Sequence, residues 1–141
     1  KFHCISAIEK DAVRSPVKLE FFNSVEIIQI SCAEFHNIAL DKDGNVYTFG
    51  CNLQGQLGIG KLSEKEGIHQ VKIQSNTEFL PEIIDIETTV QTSVFLDVNR
   101  TLYVSGGREI LFPQPLLIHS KVISFACKLS IGILFKTEDH G

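Results

Sequence analysis

The sequence predicts an all-β fold built of β-propeller blades, each of four antiparallel strands, with about two blades present and parts of their neighbours. Three observations carry this reading. Ile and Val recur throughout and Phe occurs ten times while Trp and Met are absent, a usage that suits the half-buried surface of pleated strands. Apolar residues alternate with polar ones over short runs bounded by turn residues, the period of a strand with one buried face. Finally, Ile27 to Gly50 lies over Ile83 to Gly106 without a gap. Ile27, Ile28, Ile30, Leu40, Asp41, Tyr47 and Gly50 recur as Ile83, Ile84, Ile86, Leu96, Asp97, Tyr103 and Gly106. The apolar frame is kept while most polar positions change, as expected of a repeated unit that preserves its core face.

Taken in order, residues 1–24 are expected to end a preceding blade, with "VKLEFF" (Val17 to Phe22) as its outer strand. Residues 25–82 form the first clear repeat. Ile28 and Ile30 flank Gln29 in its first strand, and Ile38 and Leu40 flank Ala39 in its second. "DKDGN" then turns the chain, because Gly44 after Asp43 tolerates the positive φ of a tight hairpin, and "VYTF" returns. "IHQVKI" (Ile68 to Ile73) is expected as the outer strand. Residues 83–121 are a degenerate second repeat turning at Asn99-Arg100, and residues 122–141 are the start of a third, with Ile123, Phe125 and Cys127 opposite Ile28, Ile30 and Cys32. No helix is expected. The alternation places Ile28, Ile30, Ile38, Leu40, Val46, Ile84, Ile86, Val94, Leu96 and Leu102 in the core between sheets.

A hydrophobic content of 43% in 141 residues is enough for a core, and 13 basic against 17 acidic residues leave a net charge of −4 with the signs mixed. Such a balance excludes duplex binding by bulk charge, so no nucleic-acid partner is expected of this segment. The longest apolar runs are far shorter than a membrane span. The chain starts at Lys1 without a Met, as expected of a piece of a larger protein. Cys4, Cys32, Cys51 and Cys127 form no C-x-x-C pair and the five histidines are dispersed. That spacing predicts free thiols, no metal site and an intracellular location, cytoplasmic or nuclear.

Gly55, Gly60 and Lys61 in "GCNLQGQLGIGKLS" fit the phosphate-loop template G-x-x-x-x-G-K. Leu62 stands where the template needs a magnesium-binding hydroxyl, and Gly67 interrupts the short run that should become a helix. The stretch therefore reads as a glycine-rich turn with Lys61 an exposed lysine, and no nucleotide or other cofactor is expected.

Val25 to Gly60 resembles one repeat of the regulator of chromosome condensation family. The family pattern runs S-C-G-x-x-H-x-x-A-L, then x-x-G-x-V-Y-x-W-G-x-N-x-x-G-Q-L-G-x-G. It is met here by Ser31, Cys32, His36, Ala39, Leu40, Gly44, Val46, Tyr47, Gly50, Asn52, Gly55, Gln56, Leu57, Gly58 and Gly60. Ala33 replaces the glycine after Cys32, and Phe49 the tryptophan. The second repeat lacks the N-x-x-G-Q-L-G loop and has "GREILFPQPLLI" in its place. The resemblance implies that the chain is a piece of a seven-bladed propeller, with Gly44, Gly50, Asn52, Gly55, Gly58 and Gly60 as structural turn residues.

The family's best-known activity is guanine nucleotide exchange on the small GTPase Ran, performed by loops on one propeller face. The resemblance brings the acidic residue and the histidine of the first segment, here Glu34 and His36, toward that face as candidate partner contacts. Two functions follow from it. One is a protein interaction module, scaffold or regulatory, within a larger protein. The alternative is a guanine nucleotide exchange factor for a Ran-like small GTPase. No nucleophile elbow, zinc-protease motif or Cys/His cluster supports covalent catalysis, and no catalytic residue is assigned.

Overall fold

The computed structural model describes residues 18–73, 79–115, 121–128 and 132–138. Strands β1 (Ile27–Cys32), β2 (His36–Asp41), β3 (Val46–Asn52) and β4 (Ser63–Gln70) form one four-stranded antiparallel meander. Strands β5 (Ile83–Thr88), β6 (Thr92–Asp97), β7 (Leu102–Gly106) and β8 (Ile110–Pro115) form a second of the same order, and β9 (Val122–Lys128) pairs with β10 (Gly132–Thr137) in a third. The registers repeat: His36 faces Gly50 across β2 and β3 as Thr92 faces Gly106 across β6 and β7. These are propeller blades, two with four strands each and the two inner strands of another.

Three corrections to the expected elements follow. Val17 lies outside the described residues, and the rest of "VKLEFF" is not a strand. Glu20–Phe22 is a single 3-10 turn whose Phe21 and Phe22 rings meet Tyr47 edge to face, with centroids 5.7 and 5.5 Å away. Two adjacent aromatics on one ring require a tight turn; in a strand they would point to opposite faces. The outer strand of the first blade begins earlier than "IHQVKI", at Ser63, so Glu64 and Glu66 belong to it. Val71 and Ile73 lie past the end of β4 yet remain buried, and Val71 N still donates to Val46 O at 2.8 Å.

Each blade has a face turned to the blade that follows and a face turned to the one before. Ile38, Leu40 and Val46 on the following face of the first blade pack with Ile83, Ile86, Phe95 and Tyr103 on the preceding face of the second. Val94, Leu96, Leu102 and Val104 then pack with Val122, against which Phe125, Cys127 and Ile133 lie half-buried. Of the expected core, Ile38, Leu40, Val46, Ile86, Val94, Leu96 and Leu102 are buried.

Ile28, Ile30 and Ile84 are not, being 60%, 68% and 38% exposed. Ile28 and Ile84 sit at a bulge: β1 steps from Ile27 opposite Asp41 to Gln29 opposite Leu40, and β5 steps from Ile83 to Asp85 in the same way. The extra residue shifts the alternation, so Ile83 shares the buried face with Ile86 and Ile84 does not. Ile30 has a different cause. It is the repeat equivalent of Ile86, which the first blade covers completely, whereas no sheet among the described residues lies on the preceding face of β1.

Because Ile86 and Ile30 hold the same place in successive repeats, they separate the value of an inter-blade contact from that of the residue itself. Ile86→Ala is expected to lower unfolding free energy by about 3 kcal/mol, the cost of a buried cavity. Ile30→Ala should cost less than about 0.5 kcal/mol, as at other exposed positions. Urea denaturation of both variants checks this, and equal losses would contradict the assignment of the faces.

Candidate functional site

Among the described residues, the reversals at one end of the strands come together on one rim: the bend Ala33 to Phe35, the loop Leu53 to Leu62, the bend Thr89 to Gln91 and the turn Gly107 to Glu109. The same main-chain scheme builds both blades there. Ala33 N donates to His36 O and Thr89 N to Thr92 O, each at 2.9 Å; Cys51 N donates to Phe35 O at 2.8 Å and Gly107 N to Gln91 O at 3.1 Å. Gly50 is required by this scheme, because a Cβ there would stand 2.7 Å from Phe35 O.

The glycine loop fills the wedge between blades at this rim. Asn52, fully buried, accepts from Leu57 N through Oδ1 at 3.0 Å and donates through Nδ2 to Lys61 O at 2.8 Å, which ties both limbs of the loop to one side chain. Gln54 N donates to Gln56 Oε1, and Thr48 Oγ1 donates to Leu57 O. Gly44, Gly50, Gly55, Gly58 and Gly60 all have φ between 66° and 116°. A Cβ on Gly60 would come within 2.1 Å of the Phe112 ring on β8. The amides that a phosphate cradle would need are committed elsewhere: Gly55 N to Asn52 O, Gly58 N to Gly55 O, and Gly60 N to Leu111 O. Lys61 is exposed but paired, its Nζ 2.6 Å from Glu66 Oε1. With His69 and Ser63 also on it, the Glu66 carboxyl is held down at about 2.

Glu34 is exposed in the bend before β2. His36 is fully buried, which corrects the expectation that its ring is a surface contact for a partner. Its Nε2 lies 2.9 Å from Ser93 Oγ on the second blade, and Ser93 Oγ gives its hydrogen to Gln56 O at 2.7 Å. A hydroxyl has one hydrogen, so the imidazole must donate, which fixes the Nε2–H tautomer. Nδ1 is then a bare acceptor, buried with no well-formed hydrogen bond among the described residues. Burial pushes the ring down to about 4, against the opposing, smaller effect of the Thr92 main chain. His36 therefore acts as an inter-blade tie: it joins β2 to β6 and, through Ser93, to the glycine loop.

At the opposite rim a second device recurs, an aspartate clamp over each hairpin. Asp41 Oδ1 accepts from Asp43 N and Asn45 N at 2.9 and 2.8 Å, and Oδ2 accepts from the Tyr47 hydroxyl at 3.1 Å. Asp97 repeats this with Thr101 N at 2.8 Å and the Tyr103 hydroxyl at 3.1 Å. Burial raises the Asp41 carboxyl, but the bonds from Asn45, Tyr47 and Asp43 together outweigh it and leave the group below its ordinary value. The sequence signal was available, since Asp and Tyr are polar residues that recur in both repeats, whereas Ser93 recurs nowhere and gave none.

Among the described residues Cys32, Cys51 and Cys127 are free thiols, and burial, with Glu87 and Asp85 nearby, pushes Cys127 up to about 12. Cys4 lies outside the described residues. No group of three His, Cys, Asp or Glu side chains that could hold a metal is found among them, and no helix is long and apolar enough to cross a membrane.

Residues 27–56 and residues 43–112 each match the sequence model of the regulator of chromosome condensation (RCC1) repeat, together more than half of the chain. The chain is 44% identical over 52 residues to the human probable E3 ubiquitin-protein ligase HERC6, matching 37% of this chain and 5% of that protein. It is 30% identical over 97 residues to the zebrafish (Danio rerio) protein RCC2 homolog, matching 69% of this chain and 19% of that protein. Among solved structures, human WBSCR16 superposes with a TM-score of 0.70 at 19% identity over 81% of this chain and 31% of its own. Prp20p of Saccharomyces cerevisiae, whose structure was described with its binding to Gsp1p and histones, gives 0.62 at 16% identity over 76% and 30%. The chain thus spans a small part of each of these proteins.

Two measurements test the site. In the unfolded chain His36 titrates near its ordinary 6.5, while the folded ring stays neutral down to about 4. Between those values the unfolded state binds a proton that the folded state excludes. Stability should therefore be complete above the upper value and fall with pH across the window, by about 1.4 kcal/mol per pH unit and about 3 kcal/mol in all. His36→Gln should flatten the part of this slope above about pH 5.5, a unit above the ordinary glutamate value, where depressed carboxylates such as Glu66 do not yet contribute. An unchanged slope in that variant refutes the tie. Separately, calorimetric titration with magnesium ATP or GTP should give no saturable heat, and a micromolar isotherm lost in Lys61→Ala would show that the loop binds phosphate after all.

Proposed function

The chain belongs to the regulator of chromosome condensation repeat family, and from that premise we propose that it serves a larger protein as a propeller-type interaction module, scaffold or regulatory, whose loop rim meets another protein. The observation that carries this is the construction of the rim. Asn52 and the His36–Ser93–Gln56 relay fix its loops from beneath, while Glu34, Phe35, Leu53 and Gln91 are left exposed on top. A rigid frame with exposed apolar and amide side chains suits recognition, since little ordering is lost on binding. Among the described residues the exposed part of the rim carries no nucleophile–base pair, and the one hydroxyl–imidazole pair beneath it, Ser93 and His36, is fully buried, which supports a chemistry of contact. Its setting is intracellular, cytoplasmic or nuclear, in keeping with free thiols at Cys32 and Cys51.

The alternative, an exchange factor for a Ran-like small GTPase, is favoured by the fold shared with Prp20p, a protein described as binding Gsp1p. Against it stands the position of His36, which is sealed under the rim and can act on a partner only by holding Phe35 and Gln56 in place. Only Glu34 of the two resemblance-derived candidates stays a direct contact.

The test places a photo-crosslinking benzoylphenylalanine at position 34 or, on the opposite rim, at position 43 of the parent protein in cells. A discrete adduct from position 34 and none from 43 is expected; adducts from 43 alone, or equally from both, would overturn the assignment of the rim. In parallel, the chain itself should not speed release of fluorescent GDP from a Ran-like GTPase. Acceleration, lost in Glu34→Arg, would establish the alternative.

A further inference from the structure

Two arginines occupy a backbone conformation that ordinarily belongs to glycine. Arg100 has φ 67° and Arg108 has φ 70°, the left-handed region in which a side chain crowds its own main chain. Each lowers the folding equilibrium about fivefold or more relative to glycine, and a role of the side chain has to account for it.

For Arg100 that role lies inside the fold. The residue holds the repeat position of Gly44, in the hairpin between β6 and β7. Its guanidinium donates to Ile123 O at 3.4 Å and its carbonyl accepts from Val122 N at 3.1 Å, which laces the second blade to β9. For Arg108 no such role is found among the described residues. It stands exposed on the rim, in the turn Gly107 to Glu109 between β7 and β8. Its bond from Arg108 N to Gln54 O, at 2.7 Å, uses the main chain and is open to any residue but proline. The guanidinium has neither a hydrogen bond nor an ion pair with a described residue.

We propose that Arg108 is the residue by which this rim selects its partner: the guanidinium takes a carboxylate, an aspartate or glutamate side chain, of the protein that docks there. The inference deepens the rim reading above and rests on it. A guanidinium presents a planar fork of donors that matches the two oxygens of a carboxylate. The supply of positive charge favours a carboxylate over a phosphate. The rim segments hold two cations, Lys61 and Arg108, and Lys61 is engaged by Glu66 at 2.6 Å. The amides of Gly55, Gly58 and Gly60 are engaged as well. One positive charge is left, which suits a carboxylate and falls short of the nearly two charges of a phosphate monoester. The selection acts at contact and not at a distance. Glu109 beside Arg108 offsets its charge in the far field, and Glu34 on the same rim is negative and has an interaction of its own.

The test joins stability to capture. In Arg108→Gly the folding equilibrium of the chain should rise about fivefold and its urea midpoint should move up, because the strain is relieved. In the parent protein the same variant should lower the adduct formed from benzoylphenylalanine at position 34 at least about threefold, because the fork is lost. Arg108→Lys, which keeps the charge without the fork, should fall between, and Arg108→Glu should remove the adduct. Mass spectrometry of the adduct names the partner segment, and reversing one of its Asp or Glu residues to Arg should restore capture in Arg108→Glu. A midpoint that fails to rise shows that the arginine serves the fold and overturns the proposal. Loss of the adduct after phosphatase treatment of the lysate before irradiation, or failure of every such reversal to restore it, overturns the carboxylate. An adduct unchanged in Arg108→Gly removes Arg108 from the rim contact and leaves the rim reading standing, whereas no adduct from position 34 in the unaltered parent overturns both.

Discussion

The structure depends on one constraint: no blade can bury its own sheet. A four-stranded meander has two faces, and each must be covered by a neighbour, so the first blade's Ile38, Leu40 and Val46 are buried only because Ile83, Ile86, Phe95 and Tyr103 stand opposite them. The matched pair Ile30 and Ile86 makes the point without any change of residue. One is fully buried and the other is largely exposed, and the difference between them is the presence of a blade on the preceding side. Among the described residues no sheet lies on the preceding face of the first blade, and there the 3-10 turn of Phe21 and Phe22 covers part of the face by packing on Tyr47, the residue whose repeat equivalent, Tyr103, meets the first blade itself.

The same constraint explains where polar residues are tolerated inside. Between the apolar layers the inner strands are stitched by side chains that reach across the seam: Gln29 donates to Asp85 Oδ1 at 2.7 Å and to Ile86 O at 3.0 Å, and Ser31 meets Thr88 at 2.9 Å. His36 and Ser93 continue this line outward to the rim. Every one of these groups is buried or half-buried and has a partner on the next blade, so each bond satisfies a cost that burial imposes and at the same time fixes the register of one sheet on the other. The bare Nδ1 of His36 is the exception, and it is tolerable because a neutral imidazole acceptor is a smaller liability than a buried charge.

The strands, the repeat and the turns were legible in the sequence because each rests on local pattern: period two, a kept apolar frame, and Gly44 after Asp43. The polarity of the faces was not. Alternation states that Ile28 and Ile30 share a side, but a bulge, which leaves no compositional mark, displaces Ile28 and Ile84, and exposure of Ile30 depends on what lies beyond the sheet. The outer strand was misplaced because Ser63 to Glu66 is polar, and its pairing with β3 is set by the glycine loop that delivers it. The resemblance brought Glu34 and His36 to one rim, and the structure separates them: the bend leaves Glu34 outside, and two residues later the strand has begun and His36 points into the seam.

What reads in the sequence as decay of the second repeat is, in the structure, complementarity to the first. The second blade replaces the long glycine loop with a tight turn at Gly107 and Arg108 and starts β8 at once, which brings Leu111, Phe112 and Pro113 beside the loop of the first blade. Gly60 N donates to Leu111 O, Arg108 N donates to Gln54 O, and Gly58 lies where a Cβ would stand 3.0 Å from Pro113 and Ser105. A second loop of the same length would compete for the space that β8 occupies. The asymmetry between the repeats thus has a physical role: the first contributes the loop, and the second contributes the shelf on which that loop rests. The rim exists only where both are present.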